Sequence, residues 1–269
     1  LLLVVGFSFK IAAFPFHQWM PDVYQGSPTV VTALMSTLGK SVAFSVLIVL
    51  LLPIASSFSG KSLMLLLSIL SALSMIYGSI VALSQKDIKR MLAYSSIAHA
   101  GYMLVGVVSG IEQGSAGVVF YLFAYTFMNL AAFGIVSYIE GNSDSNLSIN
   151  DYIGLSSQKP FLAALLALIM FALAGIPPLA GFFGKYYVFI AAIKSGFLWL
   201  ALIGIVSSII SVYFYLRIVV YMYFKNQTKL LTVFDSNYSL LGIVIASLLV
   251  VVIGIFPNSI IELITLFLN

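Results

Sequence analysis

The chain has 269 residues, of which 62% are hydrophobic and only 7% charged, with a formal net charge of +4 and no cysteine. That balance excludes an ordinary soluble domain, and without thiols the chain builds no disulfide framework, thiolate zinc site or iron–sulfur cluster of its own. No basic stretch is interleaved with aromatics on a polar surface, so nucleic acid is not expected as a partner.

In chain order, apolar runs long enough for a hydrocarbon core about 30 Å thick fall at residues 1–19, 29–52, 62–84, 90–109, 116–139, 160–194, 197–224 and 238–256, followed by a short apolar tail after Pro257. They predict an all-α polytopic transmembrane helix bundle of about eight spans, one transmembrane domain over 1–269, with the lipid bilayer as its first partner. The connecting stretches PDVYQGSP, PIASSFSGK, SQKDIKR, SGIEQGS and KNQTKLLTVFDS read as loops. The longest connection, Glu140 to Lys159, reads as a polar surface loop. The chain starts at Leu1 inside a hydrophobic run, with neither an initiator Met nor a cleavable signal pattern, and is read as the C-terminal piece of something longer.

Lys86, Lys89, Arg90, Lys159, Lys225 and Lys229 are expected in loops on one side of the bundle, against Lys61 and Lys194 on the other. The positive-inside rule makes the first side cytoplasmic or matrix-facing. A rise of about 1.5 Å per residue then places Lys10, Lys40, His99 and Lys185 all roughly 15 Å deep. A lysine at that depth costs at least about 2.5 kcal/mol and marks an ion path or a buried pair, and its stem of about 6 Å is too short to reach the interface. Low dielectric disfavours a charged amine, so one such lysine could titrate near neutral pH, the property a proton relay needs. Against this stand a structural ion pair for the lysines and, for His99 beside Ser95 and Ser96, an ordinary hydrogen-bonded core histidine. Arg217, close to Lys225, is expected to snorkel or anchor. Asn129, Tyr94, Tyr102, Tyr121 and Tyr125 read first as helix–helix glue or interface anchors. His17, beside Trp19, either lines an entrance or has an interfacial structural role.

Two stretches interrupt the apolar pattern. FSFKIAAFPFHQWMPDVYQGSPT, residues 7–29, sets Lys10 ahead of a cluster of prolines. The run 160–194 would measure about 52 Å as a straight helix, far more than the membrane core, and must break at Gly175, Pro177, Pro178 and Gly181, one turn before Lys185. Unwound backbone in a bilayer is tolerated only where protein or water surrounds it, and broken helices in paired positions point to a transport site; a proline kink for packing is the plainer alternative. Asp22, Asp87, Glu112, Glu140, Asp144, Asp151, Asp235 and Glu262 all fall in loops or at span ends. With no carboxylate at half depth, the acid compensating Lys10 and Lys40 is expected from outside this sequence.

The stretches FKIAAFPFHQWMPDVYQGSPTVVTALMSTLGKSVAF, QKDIKRMLAYSSIAHAGYMLVG and ALAGIPPLAGFFGKYYVF resemble the antiporter-like subunits of respiratory complex I, and PDVYQGSP looks like the branch known as subunit N or subunit 2. The resemblance covers nearly the whole chain. It implies an antiporter-like inverted-repeat fold, present in part as the last eight of fourteen helices: one full repeat and a fragment of the other. It also implies that Lys10 matches a lysine paired with a glutamate of a preceding helix, Lys40 a central relay, Lys185 the distal site in a broken helix, and His99 a bridging histidine. The activity implied is proton translocation coupled to quinone reduction in an NADH:quinone oxidoreductase. NADH, FMN, iron–sulfur clusters and quinone would belong to the assembled complex, with no cofactor in this chain. The implied partners are other membrane-arm subunits, including other antiporter-like ones, and the favoured location is a bacterial inner (plasma) membrane, with a mitochondrial or plastid inner membrane as the alternative. A subunit of a multisubunit cation/proton antiporter shares the fold and is the alternative. A purely structural bundle would tolerate Leu or Met at Lys10, Lys40 and Lys185.

Overall fold

The computed structural model describes residues 2–55, 60–140, 147–226 and 237–268. Among these there are no strands, only helices: α1 (Leu2–Ile11), α2 (Trp19–Gly26), α3 (Thr29–Ala55), α4 (Gly60–Ser84), α5 (Ile88–Val108), α6 (Ile111–Glu140), α7 (Leu155–Gln158), α8 (Pro160–Ala174), α9 (Ala180–Lys194), α10 (Leu198–Phe224), α11 (Asn237–Ile255) and α12 (Pro257–Leu268), with a 3-10 turn at Ile149–Tyr152. Six of them, α3 to α6, α10 and α11, are long and apolar enough to cross a membrane. In each of the pairs α1/α2 and α8/α9 two short helices are separated by a non-helical break, which gives the discontinuous-helix bundle expected from the sequence.

The helices start and stop where local chemistry requires. The Asp87 side chain accepts the Arg90 N–H at 2.8 Å and caps α5, satisfying one of the four donors that a helix start leaves free. Pro160 opens α8, where its missing N–H costs nothing. Gly175 ends α8 in the left-handed region, at φ +88°, which other residues reach only with strain.

At the centre runs α5, with every residue from Met91 to Val108 buried. Helix α4 lies so close to it that a Cβ on Gly101 would stand 2.6 Å from Met75 Cγ and 2.9 Å from Met75 N; the Ser71 hydroxyl donates to the Gly101 carbonyl at 2.7 Å across the same contact. This is the small-residue approach by which membrane helices gain van der Waals contact. Helix α6 packs against α3, α5, α9 and α11, and α10 against α4 and α8. The outward faces of α3, α10 and α11 carry exposed Val, Leu and Ile, as lipid-facing surfaces do.

Three features depart from the sequence reading. PDVYQG is the body of α2 rather than a loop: Pro21 falls in its first turn, where the ring is tolerated. The tail after Pro257 is helix α12. The connection expected to be a polar surface loop carries the 3-10 turn and α7, and buries Ile149, Tyr152 and Leu155. It is tied down by Ile88 N–H to Leu147 O at 2.9 Å, Ile149 N–H to Lys86 O at 2.8 Å, and Gly154 N–H to Tyr221 O at 3.1 Å. Asp144, Asp235 and Lys229 lie outside the described residues.

Candidate functional site

Three of the four sequence-predicted residues meet along α5. Lys40, on α3, is buried and directs Nζ at α5, donating to the Ser96 carbonyl and, at 2.6 Å, to the Ser96 hydroxyl. The Tyr125 hydroxyl donates to the same Ser96 oxygen at 2.7 Å, and Nζ stands 5.6 Å from the Tyr125 ring centroid, within cation–π range. No carboxylate contacts Lys40 among the described residues.

One turn along α5, His99 is held at both ring nitrogens. Its Nδ1 is 2.8 Å from the Tyr121 hydroxyl and its Nε2 3.1 Å from the Tyr215 hydroxyl. The Tyr215 hydroxyl also bonds the Ser95 hydroxyl. With phenol on each side, the imidazole can keep either tautomer, since each phenol donates or accepts as the nearer nitrogen requires. The Tyr125 ring lies 5.0 Å from the imidazole and the Tyr102 ring 5.7 Å away, edge-on.

Beyond Tyr102 stands Lys185, on α9, its Nζ 5.0 Å from that ring. The ammonium donates to Ala174 O at 2.8 Å, Leu173 O at 3.3 Å and the Ser208 hydroxyl at 2.8 Å. Those carbonyls are orphans of the α8 C-terminus, which carries a partial negative charge. The break therefore makes a cation site out of backbone, and the sequence places Lys185 where its stem folds back into it. Gly175 leaves room: a Cβ there would stand 3.1 Å from Lys185 Cδ and 3.2 Å from Nζ. A cavity of about 420 Å³ opens elsewhere, between α3, α6 and α11; another, of about 360 Å³ and lined by Phe182, Tyr186, Ile205 and Ser208, reaches Lys185.

Lys40, His99 and Lys185 thus lie along one run: hydrogen bonds join Lys40, Ser96 and Tyr125 and, separately, Ser95, Tyr215, His99 and Tyr121, with the Tyr125 and Tyr102 rings in the intervals. Of the tyrosines read first as glue, Tyr102, Tyr121 and Tyr125 line this run, whereas Tyr94 packs against Tyr77 and Arg90; Asn129, donating to Tyr125 O at 3.1 Å within α6, keeps a local structural role. The Ser207 hydroxyl, 3.3 Å from Tyr102 and 2.7 Å from Ser79, extends the network toward α4.

Lys10 stands apart. It is the penultimate residue of α1, exposed, in a cavity of about 480 Å³ lined by Leu3, Phe7, Val42 and Val46. His17 sits in the break after it, its ring 5.4 Å from that of Phe14 and 4.6 Å from that of Tyr77, and its buried Nδ1 has no partner. Arg217 donates to Leu83 O at 2.9 Å and Gln85 O at 2.7 Å, anchoring the α4–α5 connection.

Sequence reasoning missed one feature altogether. Lys89 and Glu140, read as loop charges, form a buried ion pair, with Nζ and Oε1 3.4 Å apart. Lys89 also donates to Ser27 O at 2.9 Å, and the Thr29 hydroxyl donates to Glu140 Oε2. Nearby, burial and the carboxylates of Glu140, Asp87 and Asp151 hold the Tyr152 phenol well above its ordinary pKa, and its hydroxyl has no hydrogen-bond partner. Arg90 bonds the exposed Asp22 at 2.6 Å, so Asp22 belongs to the surface. Among the described residues no group of His, Asp and Glu could hold a metal ion.

Residues 1–211 match the family described as "NADH:quinone oxidoreductase/Mrp antiporter, TM". The chain is 45% identical to NADH-quinone oxidoreductase subunit N of Trichlorobacter lovleyi over 97% of its own length and 54% of the relative's. It is 45% identical to subunit N 1 of Chloroherpeton thalassium over 97% and 55%. It therefore spans about half the length of the curated relatives it matches. Among solved structures, a chain of respiratory complex I from Thermus thermophilus superposes with a TM-score of 0.84 at 35% identity, covering 97% of this chain and 57% of that one. A chain of the Mrp complex from Dietzia superposes equally well, TM-score 0.84 over 98% and 57%, but at 21% identity it speaks for the fold alone.

Proposed function

The chain belongs to the NADH:quinone oxidoreductase/Mrp antiporter transmembrane family, and from that premise we propose that it is a proton-translocating membrane-arm component of an NADH:quinone oxidoreductase, forming the last eight helices of a fourteen-helix subunit. The observation carrying this reading is the buried run from Lys40 through His99 to Lys185, three titratable groups joined by hydroxyls and rings inside an otherwise apolar bundle. A purely structural bundle has no use for it, because each buried cation costs desolvation that a well-packed Leu or Met avoids.

The chain's own residues divide the work. Ser96 takes a proton from the Lys40 ammonium, or returns one, through a hydrogen bond already made. The Tyr125 ring separates that site from His99, whose own hydrogen-bond partners are Tyr121 and Tyr215, the latter bonded in turn to Ser95. Between His99 and Lys185 stands the Tyr102 ring rather than a hydrogen bond, a step that water bridging polar groups would complete. At Lys185 the α8 carbonyls stabilise the charged form until it releases its proton.

Coupling is electrostatic. Quinone reduction elsewhere in the assembly would shift one charge, and a neighbour about 10 Å away feels about 2–3 kcal/mol at an effective dielectric of 10–20. Lys10, exposed beside the first break, is positioned to take a carboxylate from outside these residues and to act as the switchable charge of that exchange. NADH, FMN, iron–sulfur clusters and quinone act in the assembly, none of them on this chain. Other antiporter-like subunits are the neighbours, and a bacterial inner membrane is the location. A subunit of a cation/proton antiporter is disfavoured by the relatives named above, which are 45% identical and called subunit N.

Lys40→Met in the assembled complex tests the reading. Proton pumping and coupled quinone reductase activity should both fall while assembly is kept. Normal pumping in an assembled Lys40→Met complex would remove the run from the path and leave the structural bundle as the better account.

A further inference from the structure

The run described above ends at Lys40, and a second buried polar cluster lies between Lys40 and the basic loops. Its core is the Lys89–Glu140 pair, joining the first turn of α5 to the last residue of α6. Both partners reach the α2–α3 junction, Lys89 through Ser27 O and Glu140 through the Thr29 hydroxyl. The same junction carries Tyr24, whose backbone carbonyl is gripped by the Thr32 hydroxyl at 3.1 Å. The Tyr24 hydroxyl is buried, makes no well-formed hydrogen bond, and is close enough to Ser96 and Tyr125 to interact with both, the two residues that hold Lys40. On the loop side of the pair a second buried phenol without a partner, Tyr152, has Glu140, Asp87 and Asp151 as its charged surroundings.

A purely structural ion pair is a poor reason for this arrangement, because burying two charges at best breaks even with apolar packing. Unsatisfied hydroxyls on both sides add cost. Groups that lack fixed partners are what a passing proton needs.

We propose that Glu140, held by Lys89 and Thr29, is the loading carboxylate through which protons from the basic side reach Lys40, by way of the α2–α3 junction and the Tyr24 hydroxyl. A proton carried by water on the loop side adds to Glu140 Oε1, forms the O–H bond and releases Lys89 from the ion pair. The acid then gives that proton to water at the junction. The Tyr24 oxygen accepts a proton as its own moves to the Ser96 hydroxyl, and the Ser96 proton completes the transfer to the neutral Lys40 amine. Glu140 is again a carboxylate and Lys89 returns to it. No electron moves and no atom is lost. Among the charged and polar groups around Glu140 are Lys89 from α5, Thr29 from the junction and Tyr152 from the connection after α6; Ser27 O holds Lys89, and Asp87 and Asp151 share the surroundings of Tyr152.

The proposal rests on the relay reading and is tested beside it, in the full-length subunit within the complex, reconstituted in sealed liposomes. Proton uptake per NADH oxidised is followed with a pH-sensitive dye across a range of external pH. Glu140→Gln should lower uptake about tenfold or more, the scale of losing a positioned proton-transfer group, and should remove one ionisation from the pH profile. Glu140→Asp should restore most of the rate. Tyr24→Phe should lower uptake several-fold with the pH profile kept. If Lys40→Met stops pumping while Glu140→Gln and Tyr24→Phe keep full uptake and an unchanged profile, the loading site falls and the relay stands. If Lys40→Met pumps normally, the relay itself has failed. Where Glu140→Gln does not assemble, Tyr24→Phe decides: full uptake overturns the proposal.

Discussion

The two broken helices solve one problem in opposite ways. A break leaves the carbonyls of the first half-helix without partners in a medium that supplies none. In α8/α9 they are met by a charge: Lys185 folds back onto Leu173 O and Ala174 O. In α1/α2 neutral donors close the gap, with the Trp19 indole N–H on Phe9 O at 3.0 Å and the Ala13 N–H on Ser8 O at 2.8 Å, while the Phe14 N–H is taken by the Ser74 hydroxyl at 2.9 Å. There the lysine precedes the break and stays exposed. The first break thus leaves its cation exposed, where the proposed carboxylate partner would meet it, whereas the second spends its own on the backbone. The same residue types in two similar stretches give one exposed lysine and one held in place.

The contrast is tested most severely at Lys185. Lys185→Met should lower pumping by about 100-fold, the low end of what a proton-transfer group contributes. It should also cost about 1–3 kcal/mol through the buried carbonyls left without donors. A variant with unaltered thermal stability would show that α8 does not depend on its ammonium cap. Next is the replacement of Pro177 and Pro178 together by Ala, which favours a continuous helix and withdraws the carbonyls from Lys185. Coupling measured as protons per NADH should drop several-fold although the helix itself gains hydrogen bonds; unchanged coupling would mean the prolines serve packing only.

Gly175→Ala acts more gently. It forces an alanine into a left-handed conformation, costing about 1–2 kcal/mol, and pushes its Cβ against the Lys185 stem. A fall in melting temperature with partial loss of pumping is expected, and full pumping would loosen the claimed link between this turn and the lysine. The smallest effect belongs to the neutral seal. Trp19→Phe removes the bond to Phe9 O for about 1 kcal/mol and should leave pumping intact; a pumping defect in a stable Trp19→Phe complex would make the two breaks alike.

What could be read from the sequence follows the same divide. Lys40, His99 and Lys185 stood out because a charge in an apolar run is expensive wherever it faces, and the second break because proline and glycine act locally. The lining did not stand out. These spans are apolar all round, so periodicity cannot tell which face of α5 meets Tyr121, Tyr215 or Lys40. Lys89 and Glu140 were misread for another reason: near a span end a charge is the usual topology signal, and only the folding of the 147–158 connection over the basic side shows that this pair is buried. The helix α2 was hidden by the proline in its first turn, a residue that punctuates loops and helix starts alike.

Helix α5 carries a consequence for how the protein is made. It lies wholly inside the bundle and is the least apolar of the six long spans, while carrying Ser95, Ser96, His99 and Tyr102 of the proposed run. Partitioning into lipid one segment at a time favours the most hydrophobic segments, and α5 has little claim on lipid when alone. Its close seam with α4 at Gly101 and Met75 provides a companion from the moment both leave the ribosome. Biogenesis is therefore expected to proceed through an α4–α5 hairpin, and a bulky residue at position 101 should show itself as failed membrane integration before any effect on proton transfer can be measured.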